Sequence, residues 1–187
     1  IDILVIVKEK DKKIKEISED IDLRVVTIEG IKKSIKDYPG LIMPILEESK
    51  VLLNTTLLEE LKNSKINYKK FKWNFDETER VIKIIEKFIE IDDQNISSLH
   101  IYSLIMRIRG LYSIECLFKG QKFSNHEVEN LLLNNGFKKE RINNFFSIYK
   151  AVRENKELKI KKEEILPLIK FTKDYLNKIK NEQKKKT

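Results

Sequence analysis

The sequence predicts an α+β protein in which a small mixed β-sheet with intervening helices is followed by an all-α helical bundle. Two observations carry this prediction. Three short apolar runs rich in β-branched residues, IDILVIV, IDLRVVTI and KVLL, occur before residue 54 and are typical of buried strands. Beyond residue 75, apolar residues recur three and four positions apart, as in amphipathic helices. With only 5 Gly and 3 Pro in 187 residues, long helices are favoured.

The first part of the chain alternates between strands and helices. Residues 1–7 form the first predicted strand, and residues 8–18 a short amphipathic helix with Ile14 and Ile17 on one face. Residues 21–28 form the second strand. Thr27 then caps a helix that ends at the Tyr-Pro-Gly sequence of residues 38–40.

The rest of this part is predicted to add one more strand before the helical region. Residues 41–49 form a short helix, residues 50–53 the third strand, and residues 54–64 another helix. The polar and aromatic segment 65–74 has no clear period, so we place a domain boundary in it. The sheet domain is therefore assigned to residues 1–66.

Residues 67–180 are predicted to be entirely helical. Five helices are expected, with a Gly136 stop after the third, and with Pro167 either kinking the last helix or lying in its first turn. Their predicted ranges are 76–90, 97–118, 124–136, 138–155 and 161–180. Residues 181–187 are basic, contain no apolar side chain, and are predicted to be a disordered tail.

Composition restricts the class of protein. The net charge of +8 and the pI near 9.3 suit a nucleotide or nucleic-acid partner, or a solvated surface, since part of the excess lies in residues 178–186. A lone cysteine, Cys116, excludes an internal disulfide and a CxxC metal site. No run approaches the roughly 20 apolar residues of a membrane helix, and no signal peptide is visible. We expect a cytoplasmic chain. Because residue 1 already lies in a strand pattern, we interpret the N-terminus as a truncation or as the first ordered residue of a longer chain.

Two acidic residues stand at the heads of the first two strands. Asp2 opens the apolar run DILVIV, and Asp22 opens DLRVVT. Residues 29–54 then read EGIKKSIKDYPGLIMPILEESKVLLN. Together with Asp2 and Asp22, in this order, the segment resembles the end of a minimal nucleotidyltransferase domain of the DNA-polymerase-β-like superfamily. In that family a Gly-Ser pair and an Asp-x-Asp motif open the strand, so Asp2 matches the second Asp. The Gly-Ser pair and the first Asp would lie upstream of Ile1.

The resemblance implies catalysis and a cofactor. Asp2 and Asp22 would be catalytic residues and ligands of Mg²⁺, with the upstream Asp as the third ligand, and ATP or another NTP would be the substrate. Carboxylates are the ligands Mg²⁺ prefers, and two metals about 4 Å apart can hold both the attacking and the leaving oxygen. A structural alternative stays open for each residue: Asp2 as a solvated strand-end acid, and Asp22 as an ion-pair partner of Arg24.

The helical part more loosely resembles the bundles that follow such domains in kanamycin-nucleotidyltransferase-like and HEPN-paired proteins. Its candidate substrate-binding residues are Arg109, Tyr102, Arg107 and Arg153. Arg109 lies in an apolar stripe with Tyr102, where it could reach a phosphate or instead pair with a buried Glu. Neither His100 nor His126 follows an arginine at the HEPN ribonuclease spacing, so that activity is not expected.

The sequence and the resemblance leave two alternative functions open. The first is a Mg²⁺-dependent nucleotidyltransferase acting on a small-molecule, protein or RNA acceptor, with no membrane partner. The second is a non-catalytic, antitoxin-like interaction module of the nucleotidyltransferase/HEPN type. The resemblance also allows a homodimer or a HEPN-type partner chain.

Overall fold

The computed structural model describes residues 2–9, 22–92, 96–156 and 158–186. The chain divides into two compact units, Ile1–Lys70 and Phe71–Thr187. The α+β class is confirmed, with helix as the dominant element in both units.

The N-terminal unit contains a pair of parallel strands. β1 spans Asp2–Val7 and β2 spans Asp22–Thr27, which confirms the first two predicted strands. The pairing is in register from Asp2 opposite Asp22 to Val7 opposite Thr27. The helix predicted for residues 8–18 lies largely outside the described residues.

Two helices follow β2 directly. In α1, Ile28–Asp37, the Thr27 side chain caps the N-terminus by accepting a hydrogen bond from the Gly30 N–H at 3.0 Å. In α2, Pro39–Glu48, Pro39 occupies the first turn, where its missing N–H costs nothing. The Tyr-Pro-Gly sequence therefore ends one helix and begins the next. Buried apolar residues of both helices form the core of this unit: Ile31, Ile35, Met43 and Leu46.

The third predicted strand is wrong. Residues 50–53 adopt no strand, and Leu52 and Leu53 are 80% and 89% exposed. In the described part of the unit, β1 and β2 pair only with each other. A strand is stabilised by ladder hydrogen bonds to a neighbour, and within the described residues the apolar run KVLL makes none. Asn54, in the left-handed region at φ 60°, instead caps α3, Thr55–Lys62.

The C-terminal unit is built around one central helix. A 3₁₀ turn, Tyr68–Phe71, spans the division between the units and leads into α4, Lys72–Ile91. α5, Leu99–Lys119, is buried on most of its circumference. It packs against α4, α6 (Asn125–Asn134), α7 (Lys139–Arg153) and α8 (Lys162–Lys184). A helix that is apolar nearly all round is expected at the centre of a bundle.

A short antiparallel pair, which the sequence did not indicate, joins distant parts of this unit. β3, Ile96–Ser97, pairs with β4, Lys159–Ile160. Beside it, the Ser98 N–H donates to the Leu158 carbonyl at 2.9 Å, and the Leu158 N–H donates to the Ser98 hydroxyl at 2.9 Å. Ser98 is fully buried. We call residues 96–98 and 158–160 the clasp.

The last helix departs from prediction in two ways. Pro167 lies inside α8, beyond its first turn, so the first-turn alternative is wrong. Inside the helix it removes one helical hydrogen bond, which is the condition for the other alternative, a kink. α8 continues to Lys184, so the predicted disordered tail is wrong for residues 181–184, of which Glu182 and Gln183 are half-buried. Within the described ranges, no helix combines the length and apolar character needed to cross a bilayer.

Candidate functional site

The first two predicted site residues lie side by side. Asp2 and Asp22 are register partners in the parallel pair, and neighbouring strands lie about 4.8 Å apart. Partners in register point to the same face of a sheet, and both residues are exposed. The strand pairing therefore presents two carboxylates together at the start of β1 and β2.

Arg24 occupies the same face, two residues after Asp22. Its Nη2 and Nε atoms donate to Asp22 Oδ2 at 3.1 and 3.3 Å. The two side chains are 75% and 53% exposed, so water and salt screen the pair and its stabilisation is small. The ion pair between Asp22 and Arg24, which is the structural alternative for Asp22, is therefore formed. Because it is exposed and weak, a competing cation can displace Arg24 from Asp22.

The carboxylates suit Mg²⁺ in kind but supply only part of a ligand set. Carboxylate oxygens are the hard donors that this cation requires. Within the described residues, no group of three or more His, Cys, Asp or Glu side chains gathers at one point. Asp2 and Asp22 could therefore provide two ligands, and further ligands would have to come from elsewhere.

Arg109 of α5 lies against a tyrosine of α7. Its Nη1 donates to the Tyr149 hydroxyl at 2.5 Å, and its guanidinium carbon lies 5.6 Å from the centre of the Tyr149 ring. Tyr102 stacks on Tyr149, with ring centroids 5.0 Å apart and an interplanar angle of 18°. We call Tyr102, Arg109 and Tyr149 the tyrosine cluster. The partner of Arg109 here is an aromatic ring, whereas the structural alternative had expected a buried glutamate.

The other two predicted substrate-binding arginines lie apart from this cluster. Arg107 precedes Arg109 by two positions, which turns it to the far side of α5, and its Nη2 lies 3.4 Å from Glu77 Oε1 of α4. Its Nε is buried and has no partner among the described residues. Arg153 is exposed at the last residue of α7, one turn beyond Tyr149. Of the four candidates, the structure brings together Tyr102 and Arg109 only.

A buried charge cluster in the bundle was missed by the sequence reasoning. The Glu115 carboxylate, 5% exposed, accepts hydrogen bonds from Lys119 at 2.6 Å, from Lys178 at 2.8 Å and from the Tyr175 hydroxyl. Burial raises the pKa of Glu115, but these three donors outweigh it and hold the pKa below its ordinary value. The one acid inside the apolar run YSIECLF was the available signal.

Three neutral acids near Glu115 have pKa values above their ordinary ones: Tyr175, Tyr112 and Cys116. Burial, followed by the hydrogen bond to Glu115, raises the pKa of Tyr175, and burial raises the pKa of Tyr112 to about 12. Burial also raises the pKa of Cys116, which is a free, buried thiol. Cys116 therefore stays protonated at neutral pH and unreactive, in keeping with its apolar setting.

The two histidines occupy ordinary positions. The His100 ring lies 5.3 Å from the Phe88 ring, and His126 is exposed in the first turn of α6.

Compared with known proteins, the chain matches no family model, no curated protein and no solved structure. The resemblance to nucleotidyltransferases therefore remains a prediction that rests on the residues and geometry described above.

Proposed function

We propose that the N-terminal unit is part of a Mg²⁺-dependent nucleotidyltransferase that transfers a nucleoside monophosphate from ATP or another NTP to an acceptor. One observation carries the proposal: the in-register pairing of β1 with β2 makes Asp2 and Asp22 direct neighbours on an exposed face. Like charges placed this close repel one another without a counterion, and a divalent cation removes that repulsion.

The proposed reaction exchanges one phosphorus–oxygen bond for another. An oxygen of the acceptor forms a bond to the α-phosphorus of the NTP, the bond from that phosphorus to the bridging oxygen breaks, and pyrophosphate leaves. The acceptor loses its proton to solvent. Mg²⁺, when bound, would neutralise the phosphate charge, and Asp2 and Asp22 would hold it. Because NTPs and Mg²⁺ are abundant in the cytoplasm, we place the activity there.

Within the C-terminal unit, the tyrosine cluster is the candidate surface for binding an acceptor. Arg109 supplies a cation next to the stacked rings of Tyr102 and Tyr149. A cation beside an aromatic surface suits an acceptor that carries phosphate, carboxylate or an aromatic group. A small molecule, a protein side chain and an RNA end all meet this description. Arg107 and Arg153 are weaker candidates, since the first is engaged by Glu77.

The test is label transfer from α-labelled NTP, measured in a chain that includes the Gly-Ser segment expected before Ile1. We expect Asp22→Asn to reduce the rate about 10³-fold or more, since removing one metal ligand costs several kcal/mol of barrier. Asp37→Asn is the matched control, because Asp37 is an ion-paired acid of the same unit, with Lys70 at 3.2 Å. Equal activity in wild type and Asp22→Asn would overturn the proposal.

A second function has its own supporting observation. The Asp22–Arg24 ion pair favours a non-catalytic, antitoxin-like interaction module in which the carboxylate is structural. Arg24→Ala separates the two. In an enzyme it would release Asp22 and leave the rate unchanged or raise the apparent Mg²⁺ affinity. In an interaction module, Arg24→Ala and Asp22→Asn would have the same small effect on stability, and no transfer would occur in either.

A further inference from the structure

A groove of about 750 Å³ lies in the C-terminal unit, away from every residue proposed above. One wall is α8, and the other is formed by the end of α6, the turn around Gly136 and the first turn of α7. Gly136 has a φ of +86°, a conformation that favours glycine and lets the chain reverse between the two helices. The volume is that of a site for a sizeable ligand.

The α8 wall is a continuous stripe. Its residues follow one another at alternating steps of three and one positions, which places them on one helical face: Pro167, Lys170, Phe171, Asp174, Tyr175 and Lys178. Eleven helical steps at 1.5 Å make this wall about 16 Å long. A groove of that length suits an extended ligand better than a compact one.

Aromatic rings line the middle of the groove. The Phe137 and Phe171 centroids lie 5.7 Å apart in an edge-to-face arrangement, and Phe171 stacks on Tyr175 at 5.5 Å. Phe137 and Phe171 are half-buried, whereas Tyr175 is buried. Parts of two rings are therefore accessible from the groove, and their neighbours hold them in place.

Cations outnumber acids around these rings. Lys138, Arg141 and Lys170 are exposed, and no ion pair within the described residues engages their side chains. Lys178 also lines the groove, although its Nζ contacts Glu115 and lies 5.5 Å from the Tyr175 ring centre. Two acids, Glu140 and Asp174, share the lining. The three unengaged cations surround accessible aromatic surface.

We propose that this groove binds a segment of single-stranded nucleic acid. Bases would stack on Phe137 and Phe171, and phosphates would lie against Lys138, Arg141 and Lys170. A cationic groove with aromatic stacking surfaces is the general way in which single strands are held without sequence preference. At about 3.4 Å per stacked nucleotide, the α8 wall spans about four or five nucleotides. This inference does not depend on the proposed transferase activity.

Fluorescence anisotropy with a labelled eight-nucleotide single-stranded RNA, and with the DNA of the same sequence, tests the proposal on the full chain. We expect the double variant Arg141→Glu/Lys170→Glu to bind at least about 10-fold more weakly at low salt. The plot of log binding constant against log salt concentration should also become shallower. Its slope should change by about 1.4, because two phosphate contacts to a single strand are lost. RNA and DNA should bind alike, since nothing in the groove is specific to the ribose.

The control carries the same charge change elsewhere. Lys33→Glu/Lys83→Glu replaces two exposed lysines of α1 and α4, and it should bind the strand nearly as well as wild type. Phe137→Leu keeps an apolar side chain against Phe145 but removes the stacking surface, so several-fold weaker binding is expected. The melting temperature should fall slightly, because the ring contacts to Phe145 and Phe171 are also lost. Equal weakening in the control would overturn the proposal, as would equally tight binding of duplex, or displacement of the strand by ATP at equal nucleotide concentration.

Discussion

Arg109 of α5 and Tyr149 of α7 are joined by a 2.5 Å hydrogen bond between Nη1 and the hydroxyl oxygen, and the guanidinium lies over the same ring. An arginine within an apolar helical stripe is thereby accommodated without a carboxylate. The ring shields the flat face of the cation, and Nη1 contacts the hydroxyl and, at 4.0 Å, Met106 Sδ. Within the described residues, Nε and Nη2 have no hydrogen-bond partner. This arrangement ties α7 to the central helix and still leaves a polar group for a ligand.

Arg109→Ala should lower the stability of the C-terminal unit by about 1–2.5 kcal/mol. The loss combines one hydrogen bond, about 0.5–1.5 kcal/mol, with an exposed cation–π contact of about 0.5–1 kcal/mol. Thermal denaturation followed by circular dichroism measures it. Tyr149→Phe is the matched variant: it keeps the ring and removes the hydroxyl, which accepts from Arg109 and donates weakly to Met106 Sδ at 3.5 Å, so it should cost about half as much. A larger cost for Tyr149→Phe than for Arg109→Ala would contradict this account.

Glu115→Gln should cost about 1–3 kcal/mol, because it weakens three hydrogen bonds to a charged, buried acceptor. Glu86→Gln is the control, since Glu86 is a half-buried acid whose ion pair with Lys173 lies at the surface, and it should cost less than about 0.5 kcal/mol. Urea unfolding at pH 7 compares them. If the two variants were equally stable, the Glu115 cluster would contribute nothing beyond a surface ion pair.

The stability difference between wild type and Glu115→Gln should also depend on pH. The folded pKa of Glu115 lies below its ordinary value of 4.5, so the folded state binds its proton less readily than the unfolded state. The stabilising contribution of the Glu115 carboxylate is therefore fully present at pH values above its ordinary pKa. It is lost as the pH falls through the lowered pKa of the folded state. Unfolding curves measured from pH 7 to acidic pH should show that the difference in unfolding free energy between wild type and Glu115→Gln narrows only below about pH 4.5. A gap that widened with acid would contradict the direction of the shift.

Thr27→Ala should destabilise the N-terminal unit by about 1 kcal/mol through loss of the α1 cap. Thr27→Ser keeps the accepting oxygen and should stay within about 0.5 kcal/mol of wild type. Gly30→Ala probes the same contact from the other side, because an added Cβ would lie 3.0 Å from the Thr27 hydroxyl oxygen. Hydrogen exchange of the α1 amides reports the fraying. If the protection of the α1 amides were unchanged in Thr27→Ala, the Thr27 side chain would not stabilise the helix.

Two truncations should differ at the C-terminus. A chain ending at Lys184 should melt like wild type, since α8 is then complete. A chain ending at Lys180 loses the last helical turn, with half-buried Glu182 and Gln183, and weakens the Lys180–Glu79 pair. We expect its melting temperature to fall by about 1–3 °C, which corresponds to less than about 1 kcal/mol. Identical melting of both would show that the last turn contributes nothing.

The sequence predicted elements well where a local pattern decides them. Thr27 before an apolar helical repeat identified the start of α1, and the β-branched runs at Asp2 and Asp22 identified both strands, because these signals lie within a few residues. The run KVLL carries the same local signal, yet Leu52 and Leu53 are exposed. Whether such a run becomes a strand depends on a neighbouring strand to bond with, and sequence spacing does not reveal that.

The candidate site was predictable to a similar extent. The order of acids at two strand heads led to Asp2 and Asp22, and the parallel register then placed them side by side. The stripe on α5 led to Arg109 and Tyr102, but the ring that joins them, Tyr149, lies 40 residues away. Contacts between helices distant in sequence have no local signature, which is why the Glu115 cluster and the groove beside α8 went unpredicted.

The clasp has a consequence for the order of folding. It joins residues about 60 positions apart, so bringing its two sides together costs the entropy of closing a long loop in return for only a few hydrogen bonds. The helices α5 to α7 must already be docked before this closure is favourable. Substitutions at Ser98 should therefore accelerate unfolding and leave the rate of folding nearly unchanged, the kinetic behaviour of an interaction that forms after the transition state. The clasp would thus govern how long the assembled bundle persists, while the speed of assembly is set by the helices.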